Sequence, residues 1–316
     1  MPATDVLISE VGPRDGLQSI QRTMPTAAKL EWIRALAGAG IAEIEVGSFV
    51  PPKLLPQMAD AEEVVREARK ILGLTVLALV PNLKGAERAA AAGAHKLTLP
   101  ISASRQHSQS NLRKTPEHAI EDVGRVCALR DAQPADSRFG VEANVATAFG
   151  CTMEGAVSED WVMEIATRLA RAGADAVGLS DTTGYGNPAQ VKRMFARLAG
   201  EIGRERVGGA HLHNTRGQGL ANVVAALDAG VTTFDSSQGG IGGCPYAPGA
   251  TGNIVTEDLV FMLESMGLRT GIDIDKLIAA RAIVARALPG EPLYGHLPNA
   301  GLTKGFVYAS AKKAAA

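Results

Sequence analysis

The sequence predicts an α/β fold, a (β/α)8 TIM barrel with a short C-terminal helical extension, and three observations carry that prediction. Eight short apolar or β-branched runs alternate with amphipathic, alanine-rich segments along residues 5–238. Strands separated by helices pair in parallel, because parallel neighbours need a crossover connection. A helix–glycine–strand phrase also recurs, as AAAGAHKL (90–97), ARAGADAV (170–177) and LDAGVTTF (227–234). Glycine just past a helix end supplies the left-handed cap that turns the chain back into the sheet. Eight such units in about 240 residues match the size of a (β/α)8 barrel. The competing fold is an open doubly wound sheet. Its usual glycine fingerprint after the first strand is missing, since that turn reads GPRDG.

The strands are expected at 5–11, 42–46, 74–80, 95–99, 139–145, 174–179, 207–212 and 231–235. Between them, apolar positions recur at helical spacing. Val64, Val65, Ala68 and Leu72 form one such face; Trp161, Val162, Ile165 and Leu169 form another; Val191, Met194, Phe195, Leu198 and Ile202 form a third. Residues 104–111 (SRQHSQSN) read as a polar loop. No linker interrupts the pattern, so one domain over 1–316 is expected. It comprises a barrel over about 5–238, a glycine-rich lid loop at 239–253, helices within 254–288 and a tail at 289–316. The last six residues, AKKAAA, read as a frayed end.

Composition narrows the function. The 316 residues carry 32 Lys and Arg against 33 Asp and Glu, a net charge of −1. That balance removes the electrostatic drive of a general nucleic-acid binder. No apolar run is long enough to span a bilayer, and the first residues lack the basic and apolar regions of a secretion signal. Three cysteines, Cys127, Cys151 and Cys244, are too few for a disulfide scaffold and fit a reducing, cytoplasmic setting. Cys127 shares an apolar helical face with Ile120 and Val123 and reads as core; Cys151 reads as structural.

In a barrel the chemistry sits at the C-terminal ends of the strands. Those ends here carry Arg14-Asp15, Glu45, Asn82, Asp181 and His211-Leu212-His213. Alternation along a strand puts both imidazoles on one face, close enough to chelate one ion. Alone, His-x-His is often incidental; Asp15 at the same mouth makes it a candidate metal site. Two imidazoles with a carboxylate and an amide oxygen form a mixed set that suits Mg²⁺ or Mn²⁺. Arg14 beside Asp15 offers a cation for a substrate oxyanion, although VGPRDG (11–16) also reads as a loop with a solvated ion pair. Glu45 fits a site role or a buried structural one. The segment 239–253, GGIGGCPYAPGATGN, has three readings: a flexible loop, a phosphate cradle, or a mobile lid that carries Cys244 over the mouth. His95, His107, His118 and His296 read as surface or structural, with His107 in the segment that opens at the mouth.

These residues in this order resemble the 3-hydroxy-3-methylglutaryl-CoA lyases, within a wider group that includes 2-isopropylmalate-type synthases. The shared motifs are VGPRDGLQ (11–18), IEVGSFVPPKLLPQM (44–58), VPNLKG (80–85), LSDTTG (179–184), HLHNTRGQGLANVVAAL (211–227) and GGIGGCPYAPGATGNIVTEDLVFML (239–263). They span roughly residues 8–290. The chain departs from the family's pattern at Asn214-Thr215-Arg216, where many members read Asp-Thr-Tyr, and at 107–110, where members carry lysines.

The resemblance implies a (β/α)8 enzyme that uses Mg²⁺ or Mn²⁺ and cleaves a 3-hydroxyacyl-CoA by a retro-Claisen route. It implies Asp15, His211, His213 and Asn253 as metal ligands, and Arg14 as the substrate-polarising arginine. Cys244 matches the loop cysteine implicated in proton transfer. Glu45 and Asp181 match acidic residues that support the site, and Asn111 and Asp181 join Arg14 on the substrate side. The expected partner is an acyl-CoA rather than nucleic acid or membrane, with a homodimer or higher homo-oligomer as the assembly. A lyase for citramalyl-CoA or another 3-hydroxyacyl-CoA, and a Claisen-condensing acyltransferase, are the alternative readings.

Overall fold

Eight parallel strands close on one another in chain order: β1 (Leu7–Glu10), β2 (Glu43–Ser48), β3 (Thr75–Leu79), β4 (Lys96–Ser102), β5 (Gly140–Ala146), β6 (Ala176–Asp181), β7 (Val207–Leu212) and β8 (Thr233–Ser236). The structure is a computed structural model that describes residues 4–242 and 252–314. Closure is direct, with Leu7, Ile8, Ser9 and Glu10 of β1 opposite Thr233, Phe234, Asp235 and Ser236 of β8. Around the barrel run α1 (Thr26–Gly38), α2 (Ala61–Ala68), α3 (Leu83–Ala92), α4 (Arg105–Leu112), α5 (Pro116–Asp131), α6 (Glu159–Arg171), α7 (Pro188–Ile202) and α8 (Gly219–Asp228). The extension holds α9 (Thr256–Ser265), α10 (Ile274–Ala287), α11 (Leu297–Ala300) and α12 (Ala309–Ala314). Among the described residues, no helix is long and apolar enough to cross a membrane.

The core is the annulus between strands and helices. Ile44, Val76, Leu97, Val141 and Val177 point outward from the strands and are fully buried against Trp32, Val65, Val123, Ile165 and Phe195 of the helices. The glycine stops behave as their sequence context requires: Gly93, Gly173 and Gly230 sit at φ 93°, 101° and 92°. Cys127 and Cys151 are both buried.

Three local expectations are corrected. Residues 105–112 form α4 rather than a loop, because the Ser104 hydroxyl accepts from the His107 backbone N–H and starts a helix without apolar periodicity. Leu72 does not share the buried face of α2; the helix stops at Ala68 and Leu72 lies 98% exposed. Of the end expected to fray, residues 311–314 belong to α12, whose first residue is anchored where the Ala309 N–H donates to Glu264 Oε2, and residues 315–316 lie outside the described residues. The ends of the other strands shift by one to three residues, whereas β7 spans 207–212 as expected and so ends just short of His213.

Candidate active site at the C-terminal mouth

A cavity of about 660 Å³ opens at the C-terminal ends of the strands. Its walls include Arg14, Asp15, Glu45, His211, His213 and Asp235. The first two come from a single wide turn after β1, residues Gly12–Gly16, in which the N–H groups of Arg14, Asp15 and Gly16 all converge on the Val11 carbonyl. Gly12 is required by close approach, since a Cβ there would lie 2.6 Å from Glu10 Oε1 and 2.9 Å from Trp32. This turn holds two adjacent side chains pointing over the mouth.

Arg14 is gripped from two sides: its Nε donates to Glu45 Oε2, and its Nη1 lies 2.5 Å from Asp15 Oδ1. The Thr98 hydroxyl in turn donates to Glu45 Oε1. Burial opposes the Arg14 charge, and Glu45 and Asp15 more than offset it, so the guanidinium stays ionised. Asp15 is likewise held well below the usual carboxylate range; burial works against its charge, but Arg14, His211, His213 and the Asn253 amide prevail.

The two histidines meet as alternation requires. His211 Nε2 and His213 Nε2 lie 3.1 Å apart, and each is 3.9 Å from Asp15 Oδ2. His211 Nδ1 is 2.9 Å from Asp235 Oδ2, so its proton is held there and the Nε2 lone pair faces inward. Burial opposes a charge on His211, yet Asp235 and Asp15 raise its pKa on balance. His213 is pushed down to about 3 by burial and by His211, so it presents a neutral ring. Asn253 arrives from beyond the glycine-rich loop through an antiparallel bridge with His213, and its Nδ2 donates to Asp15 Oδ2 at 2.7 Å.

This cluster fits a divalent ion. One atom each from Asp15, His211 and His213 lies within 4.8 Å of the others, and two imidazole lone pairs face one another across a carboxylate. Asn253 Oδ1 is buried beside them with no hydrogen-bond partner. Such N/O sets suit Mg²⁺ or Mn²⁺ rather than a closed tetrahedral zinc.

The other expected residues divide. Asn111 lies on the rim, exposed on α4, with Ser110 and Arg113. His107 is buried and lines the cavity, with Nδ1 2.7 Å from the Ser102 hydroxyl. Asp181 does not join Arg14 at the cavity wall. Its oxygens accept from the Tyr185 and Gly186 N–H groups at 2.8 and 3.0 Å, and burial pushes its pKa up to about 6. It folds the loop after β6, which Arg216 then grips through the Thr183 and Gly184 carbonyls while stacking 4.6 Å from the Tyr185 ring centre. Cys244 lies outside the described residues; the flanking Gly242 packs against Gly16 and Asp15. Sequence reasoning misses Asp235, Thr98, Asn144 and Ser180. Asp235 is findable by the rule that finds the others, since it is the polar residue near the C-terminal end of β8.

The HMGL-like family model matches residues 5–284. The hydroxymethylglutaryl-CoA lyase of Bacillus subtilis (strain 168) is 39% identical over 288 residues, covering 91% of this chain and 94% of that protein. The human mitochondrial hydroxymethylglutaryl-CoA lyase is 40% identical over 283 residues, 90% of this chain and 86% of its own. The structure of an HMG-CoA lyase from Acinetobacter baumannii in complex with coenzyme A and 3-methylmalate matches with a TM-score of 0.89 at 39% identity, covering 97% of this chain and 99% of that one. A closed barrel with Asp15, His211 and His213 at its mouth, and relatives alike over nine-tenths of its length, establish that this chain belongs to the HMGL-like family.

Proposed function

We propose that this chain cleaves 3-hydroxy-3-methylglutaryl-CoA to acetyl-CoA and acetoacetate. The observation that carries the reading is the Asp15, His211 and His213 cluster with Arg14 in contact, at the mouth of a cavity large enough for an acyl chain. Relatives named as HMG-CoA lyases, one of them bound to coenzyme A, support it.

Asp15, His211, His213 and Asn253 would hold a Mg²⁺ or Mn²⁺ ion, whose chemistry is to polarise substrate oxygens and favour loss of the hydroxyl proton. The chain's own groups do the rest. Arg14, with Nε and one Nη1 contact already taken by Glu45 and Asp15, keeps further N–H donors for an oxygen on which negative charge develops. Glu45 and Thr98 fix the guanidinium plane, so little reorganisation is needed. Asp235 at Nδ1 fixes the His211 ring so that its Nε2 lone pair would face the ion, and the C3 hydroxyl proton can pass to the Asp15 carboxylate beside it. The C2–C3 bond then breaks, its electron pair passes to C2 as the thioester enolate, and C3 becomes the ketone. A proton delivered to C2 completes acetyl-CoA, and Cys244 is the proposed donor. Asn111 would contact the substrate at the rim, and Asp181 would act by holding the β6 loop.

The test is a panel of 3-hydroxyacyl-CoA thioesters assayed for acetyl-CoA release. Stoichiometric acetoacetate from the methylglutaryl substrate is the expected result. A kcat/KM at least tenfold higher for citramalyl-CoA, with release of pyruvate, would move the assignment to that substrate.

A further inference from the structure

Gly239 opens the glycine-rich loop with both of its backbone groups held by the C-terminal extension. Its N–H donates to Glu257 Oε2 of α9 at 3.0 Å, and its carbonyl accepts from the Tyr294 N–H at 2.7 Å. Its φ of 66° is left-handed, and a Cβ there would lie 3.0 Å from Leu293 Cδ2, so only glycine lets the tail lie this close. Arg281 of α10 ties the two contacts together. Its Nη1 lies 2.6 Å from Glu257 Oε1 and donates to the Tyr294 carbonyl at 2.9 Å. Glu257 is fully buried, and this guanidinium balances its charge. The tail is pinned just beyond, where the His296 and Leu297 N–H groups donate to the Asp258 carboxylate of α9. Residues 293–297 therefore form a strap across the base of the loop, in a tail that the shared motifs do not reach.

The strapped residue leads straight into the ligand cluster. A Cβ at Gly240 would lie 3.5 Å from the Asn253 carbonyl oxygen, and one at Gly252 would lie 2.5 Å from the Gly240 carbonyl oxygen. A Cβ at Gly242 would lie 3.0 Å from the Asp15 carbonyl oxygen. Backbone packs on backbone here, so a shift at Gly239 passes on with little to absorb it. Asn253 in turn bridges His213 and donates to Asp15 at 2.7 Å. We propose that Leu293, Tyr294 and Arg281 form a positioning element of the metal site, which fixes Gly239 and through it the places of Asn253 and Asp15. The inference rests on the metal reading above. All three residues stand back from the cavity wall, so they act through the loop base rather than on substrate. The helices beneath the strap have their own hold on the core, through Leu259 and Leu263 of α9 and Leu277 and Val284 of α10. Loosening the strap should therefore disturb the ligands before it disturbs the fold.

The experiment measures Mn²⁺ binding to the metal-stripped full chain by calorimetry, well below the melting temperature, so the outcome does not depend on turnover. Arg281→Ala should weaken Mn²⁺ binding about tenfold, the low end of what outer partners of metal ligands contribute. A single nitrogen, Nη1, makes both contacts, so the Arg281→Lys ammonium can supply them and should restore affinity to within about threefold of the wild type. Leu293→Ala keeps every charge and hydrogen bond of the strap and should weaken Mn²⁺ about three- to fivefold. It serves as the second variant should Arg281→Ala fold poorly. A merely structural role for the strap predicts a lower melting temperature with unchanged Mn²⁺ affinity in both variants, and that result would overturn the proposal. An Arg281→Lys chain as weak as Arg281→Ala would overturn it too. A wild-type chain that bound no Mn²⁺ would instead bring down the metal reading on which the proposal stands.

Discussion

Replacing Glu10 by glutamine should change the pH dependence of stability in a direction that the structure dictates. Glu10 ends β1 and is fully buried. Its Oε1 accepts from the Gly12 and Gln238 N–H groups at 2.8 and 2.9 Å, and its Oε2 accepts from the Thr256 hydroxyl at 2.6 Å. One carboxyl therefore joins the Arg14-Asp15 turn, the start of the glycine-rich loop and α9. Burial pushes its pKa up from 4.5 to about 8, with those three hydrogen bonds pulling partly the other way. Between these values the unfolded chain has lost the proton and the folded chain keeps it. Stability from this group is therefore complete below about pH 4.5 and is lost as pH rises toward 8. The gap, at roughly 1.4 kcal/mol per pH unit, sets a ceiling of about 5 kcal/mol. In the Glu10→Gln variant the new amide oxygen would keep the two backbone contacts, and its NH₂ would face Thr256, whose hydroxyl can turn to accept. The variant should match or trail the wild type at pH 5 and exceed it at pH 8.5, a swing of at least about 2 kcal/mol. Urea unfolding of both proteins at the two pH values measures it, and the comparison cancels other titrating groups. An unchanged difference between the proteins at pH 5 and 8.5, within about 0.5 kcal/mol, would refute this account of the buried carboxyl.

Three further outcomes are expected. Exhaustive chelation should abolish turnover, Mg²⁺ or Mn²⁺ should restore it, and His213→Ala should weaken divalent-ion binding measured directly; full activity after verified metal removal would sink the metal reading. Asp235→Asn should lower metal affinity by about 10- to 100-fold through loss of His211 orientation, with little change in melting temperature, and unchanged affinity would show that Asp235 does not set the ring. Cys244→Ser should lose about 10²–10⁴-fold in kcat while metal affinity holds, because sulfur is a poor Mg²⁺ ligand; a near-normal kcat would remove Cys244 from proton transfer.

The barrel was legible because its signals are local. Each strand is a short apolar run, helices such as α2, α6 and α7 carry their own buried stripe, and Gly93, Gly173 and Gly230 mark the turns by a conformation that few other residues adopt. Arg14, Asp15, Glu45, His211 and His213 were legible because a barrel places the C-terminal ends of all its strands at one mouth, whatever their separation in sequence. Where expectation failed, the deciding interaction was a side chain acting outside the apolar pattern. Ser104 started α4 with one capping hydrogen bond, and the early stop of α2 left Leu72 in solvent.

The sequence by itself determined the element order, the barrel and the types of ligand available, since periodicity, glycine stops and strand-end chemistry are written along the chain. Only the tertiary structure decided which of those polar residues work together. Asp15 and Asn253 stand 238 positions apart and share a 2.7 Å hydrogen bond, whereas Asp181, equally plausible in sequence, turns both oxygens to its own loop. Asn144 lies in none of the motifs and Ser180 lies inside LSDTTG (179–184) without being singled out there; both line the cavity only because the barrel closes. The reason is physical. Local structure follows from the preferences of neighbouring residues, but a hydrogen bond satisfied or left spare depends on what the closed barrel brings within about 3 Å.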